Sequence, residues 1–299
     1  MNVLICICAS NRPQLLNKTL YSLKQLNKTP SVSLFVYVID NDIYSGNKKI
    51  IDKFKKKKLS IFYKLELRKG IVYARNKFLN SIEDLKIKFD YIGFIDDDCE
   101  ADLNWLTFHL KYLQNSSFNI STGPQYSKKK IGKNQIFFNL TNKYINKDIT
   151  QTYWAATNNV IMKYEILKKH SIKFDLNLNK IGGSDQLFFL KHSKLGNKIL
   201  WNKKAIVREN TKNKNINHDW FIKRNIRYGF SGAYINKVIY GTFFGFLISI
   251  LRVTFFLIRT VPLILLFFYN KNIFRIEMNL MKIYGILKYY FGKKIDKYN

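Results

Sequence analysis

Between residues 3 and 113 the chain alternates short apolar runs with stretches whose apolar residues recur at helical spacing. Residues 3–8 form a continuous apolar run, closed by Asn11-Arg12-Pro13. A run of that length bounded by turn residues reads as a strand buried on both faces. Pro13 suits the first position of a helix, and Leu16, Leu20 and Leu23 mark the buried stripe of that helix. Further strands are expected over 34–39, 60–67 and 91–95, and further helices over 73–82 and on Leu103, Leu106, Leu110 and Leu113. Alternation of this kind builds an α/β fold on a mostly parallel sheet, with ligands at the carboxyl edge of the strands. Neither G-x-G-x-x-G nor G-x-x-x-x-G-K-[ST] occurs, which excludes the dinucleotide fingerprint and the P-loop.

The second half is less regular. Residues 124–150 are rich in Lys and Asn with weak periodicity and read as a loop. Order is expected to resume over 152–162. A helix is expected over 184–195 with Gly196 just past its end, then short strands over 199–201 and 205–207. After Lys237 the composition changes. Residues 238–269 carry two charges, Arg252 and Arg259, and one proline, Pro262. Every 20-residue window of that stretch contains an Arg, which is costly near a bilayer centre. An interfacial amphipathic helix and a spanning or re-entrant segment both fit it.

Composition limits the partners. A hydrophobic fraction of 47% over 299 residues excludes disorder as the main state. Three Cys are too few for a disulfide scaffold and are expected as reduced thiols. The formal net charge is +31, built from 42 Lys and 9 Arg, and the chain holds 31 Asn. Drift in an AT-rich genome produces this Lys and Asn excess. The charge favours anionic partners, but Arg, the better reader of bases and phosphates, is not in excess, so nucleic acid is not expected.

Asp96-Asp97-Asp98 directly follows the fourth apolar run. Clustered carboxylates repel unless a cation is present, and a hard divalent cation is their natural partner. Strand alternation would aim Asp96 and Asp98 the same way. Asp40 and Asn41 end the second run at the same sheet edge. Gly70, Ala74, Arg75 and Asn76 open a helix whose start suits a phosphate or ribose. Ser184-Asp185 stands at another helix start, which keeps a carboxylate ionised and able to accept a proton.

Taken in order, these segments resemble the family 2 glycosyltransferases of the GT-A fold. The resemblance runs through residues 5–13, the Val38-Ile39-Asp40-Asn41 strand end and the segment from Gly70 to Asn76. It continues through Phe94-Ile95-Asp96-Asp97-Asp98, Thr157-Asn158-Asn159-Val160 and Gly182-Gly183-Ser184-Asp185, and covers roughly residues 1–230. The chain departs from the family where it has Ala9 for Thr and Ser184 for Glu.

The resemblance implies an inverting transfer from a nucleotide-diphospho-sugar to a hydroxyl of a glycan or lipid-linked glycan. It implies a Mn2+ or Mg2+ ion and a place on the cytoplasmic face of the cell membrane. By the same analogy Asp40 meets the nucleobase, Asp96 the ribose or sugar side, and Asp98 the metal, while Asp185 is the base. Asn11, Arg12, Asn41, Gly70, Arg75, Asn76 and Asp97 join the donor site. Arg224 and Arg227 are candidates to cover the diphosphate, and His218 is a candidate metal or phosphate contact. The expected division is 1–102 for the nucleotide-sugar half, 103–235 for the acceptor half and 236–299 for membrane-associated helices and a basic tail. The alternative is a basic membrane- or nucleic-acid-binding protein on a degenerate transferase fold.

Overall fold

The first strand, β1 (Asn2–Ala9), occupies the middle of the parallel part of a large sheet. A computed structural model describes residues 1–27, 30–44, 46–56, 59–128, 132–141, 145, 147–211, 215–265 and 270–292. After β1 come α1 (Pro13–Lys24), β2 (Ser33–Asp40), α2 (Asn47–Lys56), β3 (Ser60–Leu65), α3 (Ile71–Ser81) and β4 (Tyr91–Ile95). Then follow β5 (Cys99–Ala101), α4 (Trp105–Gln114), β6 (Ile120–Thr122), β7 (Gln125–Ser127), α5 (Gln135–Thr141), β8 (Ile149–Thr152), β9 (Asn159–Lys163) and α6 (Tyr164–His170). The chain continues with α7 (Ser184–Lys194), β10 (Ile199–Asn202), β11 (Val207–Glu209), α8 (His218–Leu265) and α9 (Asn270–Phe291).

Two compact units are formed. The first comprises Met1–Lys129, Tyr144–Leu176 and Ser184–Lys212; the second comprises Lys130–Lys143, Asn177–Gly183 and Asn213–Asn299. The last segment of the second unit starts before the change of composition at 238, because the polar opening turns of α8 already pack with α5 and α9 around Phe137 and Phe221.

In the first unit, eight strands run in the order β3-β2-β1-β4-β9-β6-β10-β8. The first four are mutually parallel, β9 is antiparallel to β4 and β6, and β8 is antiparallel to β10. A smaller sheet has the order β5-β11-β7. Alternation along β1 sends Val3, Ile5 and Ile7 into one core layer and Leu4 and Cys6 into the other. The first layer is closed by Leu16, Leu20 and Leu23 of α1, the second by Val72 and Phe78 of α3. The expected α/β fold and mostly parallel sheet are present, and Cys6, Cys8 and Cys99 are free thiols.

Three local expectations are corrected. The helix expected from Leu103 begins at Trp105, and Leu103 is exposed. The 124–150 stretch holds β7, α5 and the first residues of β8; elements this short carry no readable period, and residues 129–131, 142–144 and 146 lie outside the described residues. The strand expected over 205–207 is shifted to Val207–Glu209, where it pairs with β5 and β7.

In the second unit, α8 breaks at Gly241 (φ 79, ψ 174). That left-handed backbone is open to glycine at little cost, and it separates a half ending at Tyr240 from an apolar half beginning at Thr242. The first half meets α9 at close range. A methyl on Gly229 would fall 2.0 Å from the Lys282 carbonyl oxygen, and one on Gly285 2.0 Å from that of Ile226. Among the described residues α8 is the one helix long and apolar enough to cross a membrane. Phe243, Phe244, Leu251, Val261 and Leu265 on its apolar half are exposed. The end of the expected apolar stretch, 266–269, and the basic tail 293–299 lie outside the described residues.

Candidate active site

The carboxyl ends of β1, β2 and β3 finish level. Ala9 pairs with Asp40, and Asp40 with Leu65. With β4 on the other side of β1, the turns after β1 and β4 are neighbours. Asn11 takes a left-handed conformation (φ 44), which Asn tolerates better than most residues. The Arg12 carbonyl then accepts from the Leu15 and Leu16 N–H groups and opens α1, with Pro13 in the first turn as expected.

Arg12 is the hub of the site. Its Nε donates to Asp97 Oδ2 at 3.1 Å, its Nη2 to Asp97 Oδ1, and its Nη1 to Asp98 Oδ2 at 3.0 Å. Asp97 and Asp98 are buried. Burial pushes the Asp97 carboxyl up to about 7, against the pull of Arg12 and with the help of Asp98 and Asp96. Burial also disfavours the Arg12 cation, but the charges of Asp97, Asp98 and Asp96 outweigh it and raise its pKa. Thr19 donates its hydroxyl to the Asp97 carbonyl at 2.9 Å and ties the turn to α1.

The alternation argument for Asp96 and Asp98 does not hold. β4 stops at Ile95, and the Cys99 N–H bonds the Asp96 carbonyl at 3.0 Å, so the three Asp residues form a turn. Asp96 is partly exposed in that turn. The donor set consists of carboxylate oxygens only, which suits Mn2+ or Mg2+. Among the described residues no three His, Cys, Asp or Glu side chains converge as a metal cage. A cation held at Asp98 would therefore complete its shell with phosphate or water oxygens.

Asp40 is buried, accepting from Asn47 Nδ2 at 3.0 Å and from the Tyr63 hydroxyl at 3.2 Å. Burial and the Asp40 charge push the Tyr63 phenol up to about 12. Asn41 and Gly70, both expected at the donor, meet each other. Asn41 Oδ1 accepts from the Gly70 N–H at 2.7 Å, while its Nδ2 donates to the Glu66 and Arg68 carbonyls, each at 2.8 Å. Asn41 thereby fastens the loop between β3 and α3.

On α3, buried Arg75 donates to Ser184 Oγ at 2.9 Å and to the Thr157 hydroxyl, and lies over the Phe174 ring. Asn76 is spent on the Phe174 backbone, donating to its carbonyl and accepting from its N–H at 2.9 Å each. Asp185 stands in the first turn of α7, partly exposed, with Oδ1 accepting from the Gln186 N–H at 2.9 Å. Arg75 thus joins the segments that carry Thr157 and Asp185.

Three further candidates belong to the second unit. A His218 ring nitrogen lies 2.6 Å from Glu277 Oε2, beside Phe137 and Phe221. Arg224 donates to the Tyr228 hydroxyl at 2.8 Å and sits over the Trp220 ring. Arg227 lies alongside Gly182.

Sequence reasoning missed Glu66 and Arg68, a bidentate pair at 2.9 and 3.0 Å on the same sheet edge, in which the Arg68 hydrogen bond holds the Glu66 carboxyl below its usual range. It also missed Trp105 and His109, which meet Asn159 of the family-like segment: Asn159 Oδ1 accepts from Trp105 Nε1 at 2.7 Å and lies 3.0 Å from His109 Nε2. A lone Glu-x-Arg, Trp or His gives no periodic signal by which to find them.

Comparison with known proteins bears on what this edge does. The family described as Glycosyl transferase family 2 matches residues 4–171. The succinoglycan biosynthesis protein ExoM of Rhizobium meliloti is 25% identical over 235 residues, 77% of this chain and 73% of its own. The mannosyltransferase PcManGT of Pyrobaculum calidifontis, solved with GDP-Man and Mn2+, superposes with a TM-score of 0.65. It is 15% identical and is matched over 98% of this chain and 88% of its own. S. aureus TarS 1–349 with UDP-GlcNAc gives a TM-score of 0.54 at 14% identity, over 79% of this chain and 67% of its own. At these identities the two structures establish the fold.

Proposed function

Because this chain belongs to glycosyl transferase family 2, we propose that it transfers a sugar from a nucleotide-diphospho-sugar to a hydroxyl of a lipid-linked glycan, with inversion, in the synthesis of a cell-surface polysaccharide. The single observation that carries the reading is the cluster of Asp96, Asp97 and Asp98 at the carboxyl edge of β4, held by Arg12. Similarity to a succinoglycan biosynthesis protein supports the polysaccharide part. The exposed apolar half of α8 supports a membrane-bound acceptor, with the site on the cytoplasmic face. Family membership favours the enzyme over the basic binding protein that composition alone left open.

In this mechanism Asp98 would hold the divalent ion, with Asp96 on the ribose or sugar side. When bound, the ion supplies Lewis-acid neutralisation of the departing diphosphate. Arg12 keeps Asp97 and Asp98 in place through its fork of donors. Asn41 and Gly70 shape the loop beside Asp40, where the nucleoside is read. Arg75 fixes Ser184 and with it the first turn of α7. Asp185, in the first turn of α7, takes the proton from the acceptor hydroxyl as that oxygen attacks the anomeric carbon. One base suffices for a single displacement.

The test is calorimetric titration of the full-length protein with UDP, GDP and CMP, each with and without Mn2+. The expected result is Mn2+-dependent binding of one of them. Folded protein that binds none of the three overturns the reading.

A further inference from the structure

Away from the Phe137–Phe221 cluster, the second unit buries polar side chains between α8 and α9 while it exposes apolar ones. Asn236 Nδ2 donates to Ser249 Oγ at 3.1 Å, and Asn279 Nδ2 to Thr260 Oγ1 at 3.2 Å, all four residues being buried. The outward residues of the same helices, such as Phe244 and Leu251, are exposed. In water this arrangement would be costly; in lipid it is the expected one, because ionisable groups there face the bundle interior.

Arg252 and Lys282, both partly buried, lie on this inner side. The Arg252 guanidinium rests on the backbone of Gly232, where an added methyl would come within 2.6 Å of Nη1. The chain therefore leaves room for this cation within the bundle and does not send it out to the surface. Lys282 Nζ lies over the Phe256 ring at 5.6 Å and feels the charges of both Arg252 and Arg259. Arg259 follows Arg252 by seven residues on the same helix face and lies over Phe255.

Among the described residues no carboxylate answers these three cations. The acidic residues of the second unit are Asp219, Glu277 and Asp296. Asp219 pairs with Lys223 and Glu277 with His218, and Asp296 lies outside the described residues. Arg252 and Lys282, partly buried among apolar groups, are expensive unless an anion joins them, and exposed Arg259 adds a third positive charge on the same face. The anion must carry more than one charge to answer three cations, and it must arrive with an apolar tail to suit the lipid-facing surface around it.

We propose that Arg252, Arg259 and Lys282 form a binding site for the phosphates of a lipid-borne diphosphate, the membrane anchor of the acceptor. The proposal rests on the transferase reading above and names the part of the acceptor that this unit recognises.

The experiment measures binding of the full-length protein, without donor, to three kinds of vesicle. One is phosphatidylcholine alone, one is doped with a polyprenyl diphosphate, and one carries the same surface charge as phosphatidylglycerol. The expected result is binding to the diphosphate vesicles about tenfold tighter than to the phosphatidylglycerol ones. R259Q, at an exposed position, should lower that preference several-fold, and R252Q/K282Q should remove it. Binding to plain phosphatidylcholine should not change, and R252K and K282R should retain the preference. Equal tightening by phosphatidylglycerol would mean a general anionic-surface effect and overturns the proposal. So does competition by inorganic pyrophosphate as effective as by the lipid, or loss of binding in charge-keeping and charge-removing variants alike. Nucleotide binding measured on the same preparations separates the two readings, because its failure in wild type removes the transferase proposal and leaves the vesicle result standing.

Discussion

Arg12 meets Asp97 along two parallel hydrogen bonds, the Nε contact being 3.1 Å, while its third nitrogen reaches Asp98. One half-exposed guanidinium thus supplies the counter-charge for two buried carboxylates. Arg12→Ala should lower stability by about 2 kcal/mol, less than for a fully buried pair because Asp97 can take up a proton instead. Adding Asp97→Asn should recover part of the loss, and Arg12→Lys should fall between because an ammonium lacks the fork. Urea unfolding of the four proteins checks this. A double variant no more stable than Arg12→Ala would mean the pair has no mutual role.

Asp185→Asn should leave nucleotide affinity unchanged and lower turnover by about 10²–10⁴-fold. The variant keeps the size of the side chain and removes the proton acceptor. Measured together, turnover and calorimetric affinity separate the base role from a donor contact. Near-normal turnover would exclude Asp185 as the base.

Asn41→Ala removes three hydrogen bonds that fasten residues 66–70. The expected cost is about 2 kcal/mol, with faster hydrogen exchange at the Gly70 amide, while amides in β1 stay protected. Exchange mass spectrometry reads both. A loop that stays as protected as in wild type would show that other contacts hold it.

His109 is buried, with one ring nitrogen 2.8 Å from Ser121 Oγ and the other 3.0 Å from Asn159 Oδ1, and burial lowers its pKa to about 4. The folded state therefore binds fewer protons than the unfolded state between about pH 6.5 and pH 4. Its stabilising contribution is complete above pH 6.5 and is lost as pH falls toward 4, by roughly 3 kcal/mol in all. His109→Gln should flatten that part of the stability–pH curve. An unchanged slope in the variant would assign the acid sensitivity to other groups.

Replacing Phe243, Phe244 and Leu251 by Ser removes exposed apolar area from the second half of α8. Each loss should weaken partition into phosphatidylcholine vesicles by about 1.5–3 kcal/mol if the side chain is fully immersed in lipid, with no change in the unfolding of the first unit. Vesicle flotation provides the measurement, and undiminished partition would place the membrane contact elsewhere.

The elements legible in the sequence were those whose pattern repeats. β1 and β4 are continuous apolar runs, and α1 shows Leu16, Leu20 and Leu23 on one face, so the strands and the sheet edge followed, though not the order of the strands in the sheet. The carboxylate cluster was legible because three adjacent acids are rare in so basic a chain. The division of labour among polar residues was not. Asn41 and Asn76 stand beside the expected donor residues, yet their amides are consumed by backbone groups up to 98 positions away. An amide that reads a ligand and one that staples a loop have the same composition and spacing. The turn over Asp96–Asp98 was hidden for a related reason, since strand alternation holds only while the ladder continues.

The glycine break in α8 also sets an order of assembly. The half of α8 before Gly241 pairs with α9, so that His218 meets a partner 59 residues further along the chain. At a synthesis rate of about 5–20 residues per second, the first half emerges seconds before the helix it packs against. In between comes the apolar half, which must find lipid or a chaperone before its own neighbours exist. α9 then brings Lys282 up to Arg252, so the basic cluster closes only after the apolar half has been made.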